Sequence, residues 1–111
     1  FDPAVPRRNL TAIIETTRER QPHCAILLAG MKLPRNMGDE YVSAFEAIFP
    51  ELAAAHDLPL LPFLLEGVAG NPDLNMPDGI HPTAEGQRII AEQMWTFLEP
   101  TLRRVAGQTK P

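Results

Sequence analysis

Apolar residues along this chain alternate between helix-spaced groups and short unbroken runs. Leu10, Ile13, Ile14 and Thr17 recur at i, i+3, i+4 and i+7, which predicts a helix ending near Arg20. Before it, residues 1–5 read as a leading loop that runs into Pro6, and after it Gln21-Pro22 is a stop. Cys24–Gly30 is a continuous apolar run between Pro22 and Met31, which predicts a strand covered on both faces, as in a parallel sheet. Residues 31–40 form a polar loop in which Asp39 is the expected cap of the next helix. In that helix Tyr41, Phe45, Ile48, Phe49 and Leu52 keep helical spacing, with a kink expected at Pro50. Leu58–Pro62 reads as a second strand, and its prolines place it at an edge. A short helix is expected at Phe63–Val68, then a long loop over Gly70–Pro82. Thr83 is a good N-cap for a last helix whose buried stripe is Ile90, Met94, Phe97 and Leu98. Pro100 should end or bend that helix, leaving 107–111 as a tail.

The order α-β-α-β-(α)-α, with all-apolar strands, indicates an α/β domain built on a parallel sheet. Two strands are few for such a sheet, whose mean is about 5–6. Either further strands come from elsewhere or the chain is a fragment. With 111 residues there is room for one small domain.

Charge narrows the partners. The net charge is −4 and the 10 basic residues are scattered, which disfavours nucleic acid. No apolar run approaches the ~20 residues of a membrane span. Cys24 is the only cysteine, so no intrachain disulfide forms. The chain starts at Phe1 rather than Met, so an upstream segment is expected.

Chemistry concentrates at Asp78-Gly79-Ile80-His81-Pro82. In a tight turn a carboxylate can reach the Nδ1 of a histidine three residues on. That contact fixes the tautomer and frees Nε2 to take a proton. By spacing alone the pair also fits a plain turn or capping pair before a helix. The only serine, Ser43, falls in a predicted helix, where a hydroxyl is usually solvated or back-bonded. Cys24 reads as inert core of the first strand. His56-Asp57 reads as a helix C-terminus, His23 as surface, and the Trp95, Phe97, Leu98 group as core. Asp73, Asp78 and His81 are spaced poorly for a metal, so no metal is expected.

The segment Asn71–Gln87, centred on Asp78-Gly79-Ile80-His81-Pro82, resembles the last conserved block of the SGNH/GDSL hydrolases. The likeness is greatest to small bacterial enzymes of the arylesterase and acyl-CoA thioesterase I/lysophospholipase type. Met31-Lys32-Leu33-Pro34-Arg35-Asn36-Met37-Gly38 is similar to the family's loop after the fourth strand, with Met37 where a tyrosine is usual. Tyr41-x-x-x-Phe45 and Leu60-Leu61-Pro62-Phe63 also fit. The resemblance runs from about residue 6 to about 100 but matches only the later half of a family domain.

That resemblance implies the C-terminal portion of a flavodoxin-like three-layer α/β/α domain. It assigns His81 as base and Asp78 as its orienter, and it places Leu33 and Pro34 against the acyl chain of an ester or thioester. No cofactor is implied. The family's Gly-Asp-Ser-Leu block, oxyanion-hole glycine and Gly-x-Asn-Asp block are absent. A missing N-terminal half should therefore carry the nucleophile, and this chain alone should be inactive. It should also self-associate through the unpaired edge of its first strand, or pair with that half. Many relatives are exported, which implies a periplasmic or secreted protein, with the cytoplasm left open. The competing reading is a catalytically inactive α/β module that binds a ligand or partner. A nucleotide binder is disfavoured because no Gly-rich phosphate loop follows either strand.

Overall fold

The computed structural model describes residues 2–108 and divides into two compact units at Pro62/Phe63. In the first unit, α1 (Ala4–Arg20), β1 (Leu28–Ala29), α2 (Asp39–His56) and β2 (Leu60–Leu61) follow in order, with a 3-10 turn at Arg35–Met37. The second holds a 3-10 turn at Pro72–Leu74 and the long α3 (Ala84–Gln108).

Helix α1 starts earlier than the leading prolines suggest. The Asp2 carboxylate accepts a bond from Ala4 N at 2.9 Å, which satisfies a free first-turn donor. Pro6 falls within the first turn, where a missing N–H costs nothing. The loop expected over residues 1–5 is thus helical from Ala4. Ile14 is buried and Leu10 packs against the core, whereas Ile13 is exposed.

Strands β1 and β2 pair in parallel, Leu28 opposite Leu60 and Ala29 opposite Leu61. Bonds from Leu28 N to the Pro59 carbonyl (3.0 Å) and from Gly30 N to the Leu61 carbonyl (2.7 Å) close the ladder. Both strands are much shorter than their apolar runs. Pro59 faces β1 and has no N–H to donate, so the ladder cannot extend past it toward the start of β1. Helix α2 is the crossover between the strands. Its Ile48, Phe49, Leu52 and Ala53 close over Ile14, Leu28 and Leu58 to form the core, with Phe45 edge-on to Phe49 at 5.6 Å between ring centres. Gly38, not Asp39, is the N-cap, and Asp39 falls in the first turn beside Glu40, where both carboxylates favour the positive end of the helix. The helix runs unbroken through Pro50, since one lost backbone bond is outweighed by the apolar burial on both sides of it.

In the second unit, 64–70 is a series of turns rather than the expected helix. Gly67 (φ 78°) and Gly70 (φ 77°) adopt left-handed backbone that ends any helix started there. Val68, fully buried, anchors this segment. Gln93 of α3 donates to the Glu66 carbonyl at 2.7 Å. Helix α3 passes through Pro100 and includes Gly107 and Gln108, so the proline neither ends it nor starts the tail at 107. An i,i+4 pair, Arg103 with Glu99 at 2.9 Å, supports the turn that Pro100 weakens. The rest of the expected tail lies outside the described residues. Trp95 is exposed, contrary to its assignment to the core, because it lies beside the Met94, Phe97 and Leu98 stripe and not on it. Among the described residues no helix is long and apolar enough to cross a membrane.

Candidate active site

The loop over Gly70–Pro82 is ordered by its own hydrogen bonds. Asn71 caps the 3-10 turn, its side chain accepting from Asp73 N at 3.0 Å. The chain then doubles back as a narrow hairpin with an antiparallel bridge between Asn75 and Pro82. Met76 N donates to the His81 carbonyl at 2.7 Å, and Thr83 N donates to the Leu74 carbonyl at 2.8 Å. At the tip, Gly79 N reaches back to the Met76 carbonyl at 2.8 Å. Pro77 takes the second position of this turn, which its fixed φ suits, and Gly79 the fourth with φ 71°.

Asp78 lies in that tip and His81 leaves it. Asp78 Oδ1 accepts from Ile80 N at 2.9 Å and His81 N at 3.1 Å, while Oδ2 meets His81 Nδ1 at 2.6 Å. These bonds, the one from the imidazole first and then the two backbone N–H groups, hold the Asp78 carboxyl at about 2, below its ordinary 3.8. An ionised carboxylate only accepts, so the ring proton sits on Nδ1 and Nε2 is left as the acceptor. Among the described residues no group bonds to Nε2, and the His81 side chain is 76% exposed. The two backbone donors to Asp78 were not part of the motif reading. Asp followed by Gly is an Asx-turn signal that would have pointed to them.

Because the folded carboxyl is depressed, the support these bonds give the tip is complete above about pH 3.8 and is lost as pH falls through about 2. Followed by carbon NMR, the Asp78 carboxyl should still be mostly ionised at pH 3. A midpoint at or above its ordinary value would mean the bonds do not form in solution.

The first turn of α3 fixes the far end of the hairpin. Thr83 is its N-cap, its hydroxyl accepting from Gly86 N at 3.1 Å. A Cβ at Gly86 would lie 2.5 Å from the Leu74 carbonyl oxygen and 3.1 Å from Pro82, so helix and hairpin are in direct contact. Arg88 braces the same turn through both Glu85 and Glu92.

Leu33, Pro34, Ser43 and Cys24 belong to the first unit, apart from the pair in sequence. Leu33 (half-buried) and Pro34 (exposed) precede the 3-10 turn of the first unit, and Pro34 accepts a bond from Met37 N at 3.2 Å. Ser43 is exposed on α2. Cys24 is exposed, not core: β1 begins only at Leu28, so the cysteine sits in the turn that follows α1, with its N–H bonded to the Gln21 carbonyl. Asp73 does not join Asp78 and His81. Among the described residues no three His, Cys, Asp or Glu side chains are grouped to hold a metal.

The profile of the GDSL-like lipase/acylhydrolase family matches residues 1–89. The chain belongs to that family. It is 36% identical over 100 residues to Esterase TesA of Pseudomonas aeruginosa, covering 90% of this chain and 49% of that protein. It is 38% identical over 100 residues to Thioesterase 1/protease 1/lysophospholipase L1 of Escherichia coli K12, covering 90% and 47%. Its fold matches the crystal structure of TesA with a TM-score of 0.80 at 35% identity, over 90% of this chain and 54% of that one. The chain thus spans about half the length of the curated relatives it matches. The three helices and the two-stranded parallel sheet among the described residues are consistent with the C-terminal portion of the family's α/β domain.

Proposed function

We propose that the complete protein is a serine-dependent hydrolase of carboxylic esters or thioesters, in which His81 is the general base and Asp78 its orienter. The observation that carries this reading is the 2.6 Å Asp78–His81 contact under an exposed imidazole. A serine Oγ from outside these 111 residues attacks the acyl carbonyl as its proton passes to Nε2. The proton then goes to the leaving alcohol or thiol, whose bond to the acyl carbon breaks. Water repeats the sequence through the same nitrogen and frees the acid. Throughout, the Asp78 carboxylate holds the ring and balances its transient positive charge. Oxyanion donors come with the nucleophile. Leu33 and Pro34 contact the acyl chain, and the open edge of β1 receives a strand from the nucleophile-bearing half. Relatives named as an esterase and as a thioesterase/lysophospholipase support the substrate class.

The test compares the full-length protein with the 111-residue chain on p-nitrophenyl butyrate and a short acyl-CoA. Turnover by the full-length protein, and none by the 111-residue chain, is expected. A full-length protein inert to both substrates would favour the ligand-binding module. Turnover by the short chain would place a nucleophile within it.

A further inference from the structure

Asn75 stands at the root of the hairpin that carries Asp78 and His81. Its side-chain nitrogen donates to two backbone carbonyls of the preceding segment, Val68 and Asn71, both at 2.8 Å. Val68 is itself fully buried, so one of those carbonyls belongs to a fixed point of the unit. Through its backbone Asn75 bridges Pro82, the residue after His81. The bonds on either side, Met76 N to the His81 carbonyl and Thr83 N to the Leu74 carbonyl, tie the two hairpin arms together there.

The Asp78–His81 contact is made within the tip and uses no atom of Asn75. The geometry inside the pair and the placement of the pair are therefore set by different groups. We propose that Asn75 is a positioning residue for His81, its carboxamide fixing where the imidazole stands relative to the rest of the site. The inference rests on the hydrolase reading above and adds a residue to it. A carboxamide suits the task because one nitrogen offers two N–H donors to two carbonyls. Each carbonyl also accepts a backbone N–H: Asn71 N to Val68 at 3.1 Å and Leu74 N to Asn71 at 3.0 Å. Removing the side chain therefore leaves neither without a partner, and the variant is expected to fold.

The experiment uses the full-length protein with p-nitrophenyl butyrate, and proton NMR of the low-field His81 Nδ1–H. Asn75→Ala should lower kcat about 10- to 100-fold while KM stays within about twofold, the pattern of a displaced catalytic group. The Nδ1–H resonance should persist, because the pair itself is intact. Asn75→Ser, which keeps one donor, should fall between Ala and wild type. An unchanged kcat, a loss matched by the unfolded fraction, or disappearance of the Nδ1–H signal would overturn the proposal. If Asn75→Ala does not fold, the serine variant decides alone by the same criteria. If wild type turns over neither ester nor thioester, the hydrolase reading fails. The NMR arm then decides: amides of residues 80–83 that shift in the serine variant while the Nδ1–H signal persists support the placement role, and unshifted amides overturn it.

Discussion

Replacing His81 with alanine in the full-length protein is expected to lower kcat by at least about 10^4-fold, with KM little changed. The substitution removes Nε2, the acceptor proposed to take the nucleophile's proton. Because the ring is exposed and packs into no core, its loss should leave the melting temperature nearly unaltered. Asp78→Asn should cost about as much by a different route. An asparagine oxygen can still accept from Ile80 N and His81 N, so the turn survives. Its amide nitrogen then faces Nδ1 as a donor, which favours the tautomer with the proton on Nε2. That form cannot accept from serine. Measuring kcat for each single variant and for the pair checks this, since residues acting as one unit lose far less together than the product of their separate losses. Full activity in either single variant would remove the pair from the mechanism.

The largest expected effect on stability is at Ile48. It is fully inaccessible, on the α2 face that meets Ile14, Leu28 and Leu58. Further chain can only add to that burial, so the expectation holds for the full-length protein. Ile48→Ala should destabilise by about 2–5 kcal/mol, from lost transfer energy and from the cavity left behind. A domain is stable by only about 5–15 kcal/mol, so much of the margin would go. Urea unfolding of the full-length protein should show a lower midpoint with an unchanged slope. A shift under about 0.5 kcal/mol, typical of surface sites, would mean that the α2 face is not packed as described.

The sequence alone determined where α2 faces the core and that Asp78 and His81 meet across a tight turn. Phe45, Ile48, Phe49 and Leu52 repeat at helical spacing, and that periodicity was enough because a helix face has a fixed period. The tip of the hairpin was equally legible. Pro77, Gly79 and the i,i+3 spacing of Asp78 and His81 are local, so the turn and the 2.6 Å contact follow from a few neighbouring residues. Thr83 as a cap was legible for the same reason.

Other features depended on residues distant in sequence, and only the tertiary structure decided them. The apolar run Cys24–Gly30 gave no sign that pairing would be confined to Leu28–Ala29. At its start that limit is imposed by Pro59, about thirty residues later, which faces β1 without an N–H to donate. In sequence Pro50 reads as a kink and Pro100 as an end or a bend. The helices continue because a single lost backbone bond competes with packing and ion pairs over many residues. Asn75 reads as one more polar loop residue. Its two bonds to Val68 and Asn71 exist because the fold brings a turn anchored by a buried valine against the root of the hairpin, a proximity that no spacing along the chain encodes.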